Sequence, residues 1–147
     1  MANIFDTAKY ILQQHGSMSP MKLQKLCYYS QAWSLVWNDA PLFDEDFQAW
    51  VTGSVCPELF FKLFLKMKNK SSINVNDITG EEGNLTDNQK DTIGKVLEHY
   101  GSHTAQWLSQ LTQMEEPWKI ARKGVPSGVG CDSIITKERM AIYYGGI

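Results

Sequence analysis

The chain of 147 residues is short of most features that would declare a function outright. Its 14 Lys and Arg against 16 Asp and Glu leave a net charge of -2, so the basic excess of a self-sufficient nucleic-acid binder is missing and nucleic acid is not expected as a partner. No stretch approaches the roughly twenty apolar residues of a membrane span, and the first residues lack the charged start and apolar run of a signal peptide. Both absences predict a cytoplasmic protein with no membrane partner. Only 3 cysteines occur. Cys27, Cys56 and Cys131 are far apart and form no CxxC pair, and are expected as reduced packing residues rather than a disulfide framework.

Signs of catalysis or cofactor binding are equally sparse. His99 and His103 sit four apart, but Gly101 and Ser102 break the helix that would bring both rings to one face, so no metal site is expected. Gly124, Gly128 and Gly130 suggest a phosphate loop, yet no Gly-Lys-Ser/Thr follows them and no strand precedes them. Glu115 and Glu116 stand just before Pro117, where acids favour a helix N-terminus more naturally than acid–base catalysis. No nucleophile is accompanied by a base. These absences favour a binding protein over an enzyme, with no catalytic residue, metal or cofactor.

What the chain does have is apolar and aromatic bulk. At 43% hydrophobic and 12% aromatic residues, it can bury roughly two-thirds of its unfolded surface as one domain spanning residues 1–147. The stretch Ser19 to Asn38 dominates it. Ser19 and Pro20 form a helix start, and no Gly or Pro interrupts the residues that follow. Leu23, Leu26, Cys27, Ser30, Ser34 and Trp37 line one face, and Tyr29, Ala32, Trp33 and Val36 another. Only Lys22, Gln24, Lys25 and Gln31 are left to give it a wet side. A helix apolar nearly all round is expected at the centre of a bundle.

The remaining elements follow from local signals. Asn3 caps and Gly16 stops a first helix carrying Ile4, Ala8, Ile11 and Leu12 on one stripe. Phe47, Ala49 and Val51 alternate with polar residues or Trp50 in a short strand ending at Gly53. Pro57 opens a third helix with Phe60, Leu63, Phe64 and Met67 as its inward stripe, beside a second apolar shoulder of Phe61 and Leu65. Lys62, Lys66, Lys68 and Lys70 then lead into a polar loop. Thr86 and Gln89 have capping-box spacing before Ile93, Val96, Leu97 and Tyr100. Ser102 is expected to cap a helix through Leu111, and Pro117 starts a brief helical turn ending at Arg122. Ser133 to Thr136 forms a second strand, expected to pair with the one at Phe47, and Lys137 to Tyr144 a last helix. The fold class is mainly α, with about six helices around a buried central one and a small two-stranded β element.

Four stretches, taken in order, resemble one family. Lys22-Leu23-Gln24-Lys25-Leu26-Cys27-Tyr28-Tyr29-Ser30-Gln31-Ala32-Trp33 is similar to the leading motif of the Panacea domain, the SocA-like antitoxin family also found in phage-associated proteins. Phe47 through Phe60, with Trp50, Gly53 and Pro57, is similar to its second segment. Leu111 through Trp118, with Glu115, Pro117 and Trp118, resembles a third, and the end from Ile134 to Tyr144 also fits. Ser54 and Cys56 depart from the family's usual Pro and Val.

The resemblance implies an antitoxin from a prophage or other mobile element, neutralising by direct binding a toxin encoded by an adjacent gene. One branch of the family resembles an adaptor delivering its toxin to a cellular protease, and a second hypothesis, apart from the resemblance, is a phage DNA-binding regulator. The latter would have to use the lysines near Lys66 with Lys119, Arg122 and Lys123. Large aromatics at helical spacing are usually packed, so Tyr29, Trp33, Trp50, Pro57 and Trp118 are expected to build the fold. Partner contacts are expected at Gln24, Tyr28, Gln31, Phe61 and Leu65, polar or half-exposed residues near the motifs.

Overall fold

The computed structural model describes residues 2–68 and 70–147. The chain begins with α1 (Ile4–His15), entered through a capping box between Asn3 and Asp6 and left through Gly16 at φ 98°. A reach of a few residues leads to α2 (Pro20–Trp37), where the Ser19 side chain accepts the Lys22 N–H and proline occupies the first turn. From Leu23 to Ala32 every residue of α2 is buried. The helix packs against α1 and against five later elements: β2 (Gly53–Val55), α3 (Pro57–Phe64), α4 (Asp87–Tyr100), α5 (Ala105–Met114) and α7 (Lys137–Gly145). The expected wet side is absent. Gln24, Lys25 and Gln31 are buried with the rest, and only Lys22 of that set is partly exposed.

The remaining elements are β1 (Phe47–Trp50), α6 (Glu116–Ala121) and β3 (Ile134–Ile135). The described residues thus form seven α-helices, one more than expected, because the turn at Pro117 is a helix in its own right. The β element has three strands rather than two. β1 lies in the middle, antiparallel to β3 with Phe47 opposite Ile135, and antiparallel to β2 with Trp50 opposite Gly53. The extra strand follows a two-residue turn, Val51–Thr52, so the chain reverses where the alternation of β1 ends. Gly53 takes φ 111° to make that reversal, and a side chain there would collide with α5: an added Cβ would lie 2.5 Å from Thr112 Oγ1 and 3.0 Å from Lys25 Cε. Two constraints, backbone conformation and space, both demand glycine.

The polar segment after α3 is held down by its few apolar residues. Ile73, Ile78 and Leu85 are buried, Met18 and Ile73 exchange backbone hydrogen bonds of 3.1 and 2.7 Å, and the buried Asp6 carboxylate accepts from the Glu81 N–H and the Asn84 amide. α4 starts with a Thr86–Gln89 capping box. α5 is capped by Thr104 rather than Ser102, because two further residues of turn follow Gly101 before the chain re-enters a helix. After α6 the glycine-rich loop folds back on Arg122. Its guanidinium donates to the carbonyls of Ala49 (2.9 Å), Pro126 (3.2 Å) and Val129 and lies over the Trp118 ring at 4.9 Å. Among the described residues no helix is long and apolar enough to cross a membrane.

Candidate functional site: the apolar face of α3

α3 turns only two side chains fully inward. Leu59 and Leu63, one helical turn apart, are buried, and they replace most of the expected stripe. Phe60 and Met67 are half-buried, while Phe64 is 68% exposed. Phe64 is still in helical register, but its ring lies against half-buried Phe60 rather than in the core, and Met67 lies beyond the helix's early end. After Phe64 the backbone tightens into three-residue turns, with Lys66 N–H donating to Leu63 O (2.9 Å) and Met67 N–H to Phe64 O (3.3 Å), so the stripe's last member leaves helical register. Phe61 and Leu65, the shoulder, point outward at 64% and 77% exposure.

Together these residues form one aromatic ridge. Phe60 packs against Trp50 at 4.9 Å between ring centroids and against Phe64 at 6.1 Å. Beside the ridge runs a groove of about 300 Å³ between α3 and the start of α2, lined by Pro20, Met21, Val55, Phe60, Phe64 and Met67 among others, with almost no polar surface. Lys62 on α3, and Lys66 and Lys68 on either side of the lining residue Met67, are all exposed. None of these three forms a direct ion pair among the described residues, although the charge of Lys66 helps to lower the Asp77 carboxyl pKa; Lys70 pairs with Asp77 at 2.8 Å. A contiguous apolar surface rimmed by charge is the usual appearance of a protein-binding site.

The other expected contact residues are not on any surface. Gln24 is buried, its amide donating to Cys56 O at 2.9 Å and accepting from Cys56 N–H at 2.8 Å. Gln31 does the same to a second segment, donating to Phe43 O and accepting from Leu42 N–H. Tyr28 is fully buried. Polarity at these positions serves to hold backbone, and a partner cannot reach them while the fold is intact.

Tyr28 belongs to a sealed polar cluster at the heart of the molecule. Glu115 Oε1 accepts from the hydroxyls of Tyr29 and Tyr144, each at 2.7 Å, and the Tyr144 and Tyr28 hydroxyls are 3.1 Å apart. Tyr100 stacks on Tyr29 at 4.2 Å. Burial raises the Glu115 carboxyl pKa, and the two tyrosine hydrogen bonds oppose that rise. Burial also raises the pKa of Tyr29, with the Glu115 charge adding to it. Glu115 is also the residue before α6, as its place next to Pro117 suggested, but its side chain makes no cap bond there; it turns inward instead. Lys25 is the second buried ionisable group. Its Nζ donates to Ser54 O at 2.9 Å, lies 2.9 Å from Met21 Sδ and has no carboxylate partner among the described residues, so burial lowers its pKa to about 7. Neither group has access to a substrate.

The remaining candidates disperse. Cys27 and Cys56 are buried thiols with pKa values raised by burial, Cys56 to about 12. Cys131, expected as a packing residue, is half-exposed in the glycine-rich loop instead. His103 stacks on Trp107, and His99 lies edge-on to Tyr100. Arg122 is removed from any basic patch, since its donors are spent on internal carbonyls.

The motif residues occupy the frame. Leu23, Leu26 and Tyr29 are in the core, Trp33 Nε1 donates to Tyr100 OH at 3.0 Å, and Trp118 Nε1 to Trp50 O at 2.8 Å. Phe64 is the surface residue that helical periodicity misassigned, and the lysine run beginning two residues before the helix end was the signal that the core had been left behind. No curated protein and no solved structure matches the chain. The family model for the antitoxin SocA-like, Panacea domain matches residues 23–119, which takes in every motif residue from Leu23 to Trp118 together with α3 and its exposed face. With about two-thirds of its length inside that match, the chain belongs to the antitoxin SocA-like, Panacea domain family.

Proposed function

We propose that this protein is the antitoxin of a prophage or mobile-element toxin–antitoxin pair, acting in the cytoplasm without catalysis by binding its toxin through the exposed face of α3. The family supports an antitoxin role. The observation that carries the mode of action is the outward placement of Phe61, Phe64 and Leu65 beside an apolar groove. Three large apolar side chains on α3 and the residue that ends it lower solubility and add nothing to the core, and their burial in a complex would contribute the kind of central contact that dominates interfaces. The DNA-binding alternative loses Arg122, leaving only exposed lysines.

Co-expression with the adjacent open reading frame is the test. The wild-type protein should rescue growth and co-purify with that product. The Phe61→Ser, Leu65→Ser pair should keep its melting temperature within a few degrees and lose both rescue and co-purification. Leu26→Ala, in the buried helix, should instead lower stability by roughly 2–5 kcal/mol. Rescue without a complex, accompanied by disappearance of the toxin, would favour delivery to a protease.

A further inference from the structure

Resting on the antitoxin reading, we infer that the groove between α2 and α3 receives an acidic amphipathic helix of the toxin, two of whose large apolar side chains, one turn apart, enter the groove. Four observations lead there. The groove, at about 300 Å³, is roughly twice the ~150 Å³ apolar cavity that holds a benzene ring, and so has room for two anchoring groups. Its walls offer almost no hydrogen-bonding group, so recognition rests on apolar fit.

The neighbouring sheet edge is closed to a partner. β2 is an outer strand, but Lys25 takes the Ser54 carbonyl and Gln24 takes both the N–H and the C=O of Cys56. An incoming segment therefore has few main-chain groups to pair with, which argues against strand addition and for a helix laid in a groove.

The rim sets the sign of the partner. The protein is acidic overall, at -2, yet from Leu59 to Lys70 its sequence carries four lysines and no acid, and two of them, Lys66 and Lys68, stand exposed on either side of Met67, a residue of the groove wall. Carboxylates flanking the toxin's apolar stripe would meet Lys66 and Lys68 beside Met67. A second copy of this chain would instead set lysines against lysines. A flat anionic membrane would meet the lysines but leave the concave groove unfilled.

The probes are two synthetic helical peptides with Leu and Phe one turn apart on one face, one flanked by Glu and the other identical with Lys in place of every Glu. Calorimetry should show the acidic peptide binding at least tenfold more tightly than the basic one. Its affinity should fall at least tenfold in Phe64→Ser and in the triple variant K62E/K66E/K68E, with folding checked by melting temperature, and it should displace the adjacent-gene product from the wild-type complex. Equal binding of the two peptides, absence of binding, or binding that survives Phe64→Ser would overturn the inference. Sedimentation with phosphatidylserine vesicles that tracks the same residues would overturn it in favour of a membrane surface. The two readings fail separately. Persistent toxin rescue by the triple variant combined with Phe64→Ser refutes the groove and leaves the antitoxin standing, while groove-dependent peptide binding with no rescue by the wild type does the reverse.

Discussion

Lys25→Met converts the least comfortable residue of the core into a measurement. The lysine amine is fully buried with one carbonyl and one thioether for company, and burial lowers its pKa from 10.5 to about 7. The unfolded chain binds this proton more readily, so between pH 7 and 10.5 unfolding takes up a proton and stability rises with pH. At 1.36 kcal/mol per unit, the full difference amounts to about 4–5 kcal/mol, of which about 2 kcal/mol falls between pH 7 and 9. Methionine keeps the length of the chain and removes the ammonium, at the expense of the bond to Ser54 O, worth about 1–3 kcal/mol when its loss leaves a buried partner. Urea titrations of both proteins at pH 7, 8 and 9 should therefore show Lys25→Met more stable at pH 7 by about 1–3 kcal/mol, with the advantage shrinking by about 2 kcal/mol at pH 9. Cys27 and Cys56, whose raised pKa values act in the opposite sense, are common to both proteins and cancel in the comparison. Parallel profiles from pH 7 to 9 would refute the reasoning, because they would mean that Lys25 keeps a near-normal pKa.

Glu115→Gln preserves an acceptor for Tyr29 and Tyr144 without a charge, and should match or exceed the wild type in a urea titration at pH 7; Glu115→Ala, which strands two buried hydroxyls, should cost about 2–5 kcal/mol. The Glu115 pKa is raised on folding, so the folded state holds the proton more tightly, and its contribution to stability should fall as pH rises above the ordinary carboxylate value and be flat in Glu115→Gln. Gly53→Ala should destabilise by more than the ~1–2 kcal/mol of an ordinary left-handed alanine, since the new methyl lies 2.5 Å from Thr112 Oγ1; double substitution with Thr112→Ala should recover part of the loss in the same melting assay.

What could be read from the residues was what neighbours decide. Asn3, Ser19 with Pro20, and Thr86 with Gln89 fix helix starts within one turn, and the structure has all three. Thr104 displaced Ser102 because two serviceable caps lay two residues apart and only the turn after Gly101 chose between them. β2 escaped notice because three residues are too few to show alternation. The fate of polar side chains was the harder matter: Gln24, Lys25 and Gln31 look like a solvated face along α2, yet their partners, Cys56, Ser54 and Phe43, lie 12 to 32 residues away. Glu115 finds Tyr29 across 86 residues. On α3 the outward turn of Phe61 and Leu65 was one of two arrangements the pattern allowed, and among the described residues no second layer covers that side.

The two glutamines of α2 that hold backbone lie seven residues apart, two turns along the same helix. Each grips another segment by the main-chain groups of one or two adjacent residues, much as a neighbouring strand would, and neither grip depends on which side chain the gripped residue carries. A scaffold fastened to backbone is indifferent to the lettering of what it holds. Mutation can therefore rewrite the outward residues of α3, and with them the identity of whatever docks there, while the clasp at Cys56 that fixes the helix in place goes on closing as before.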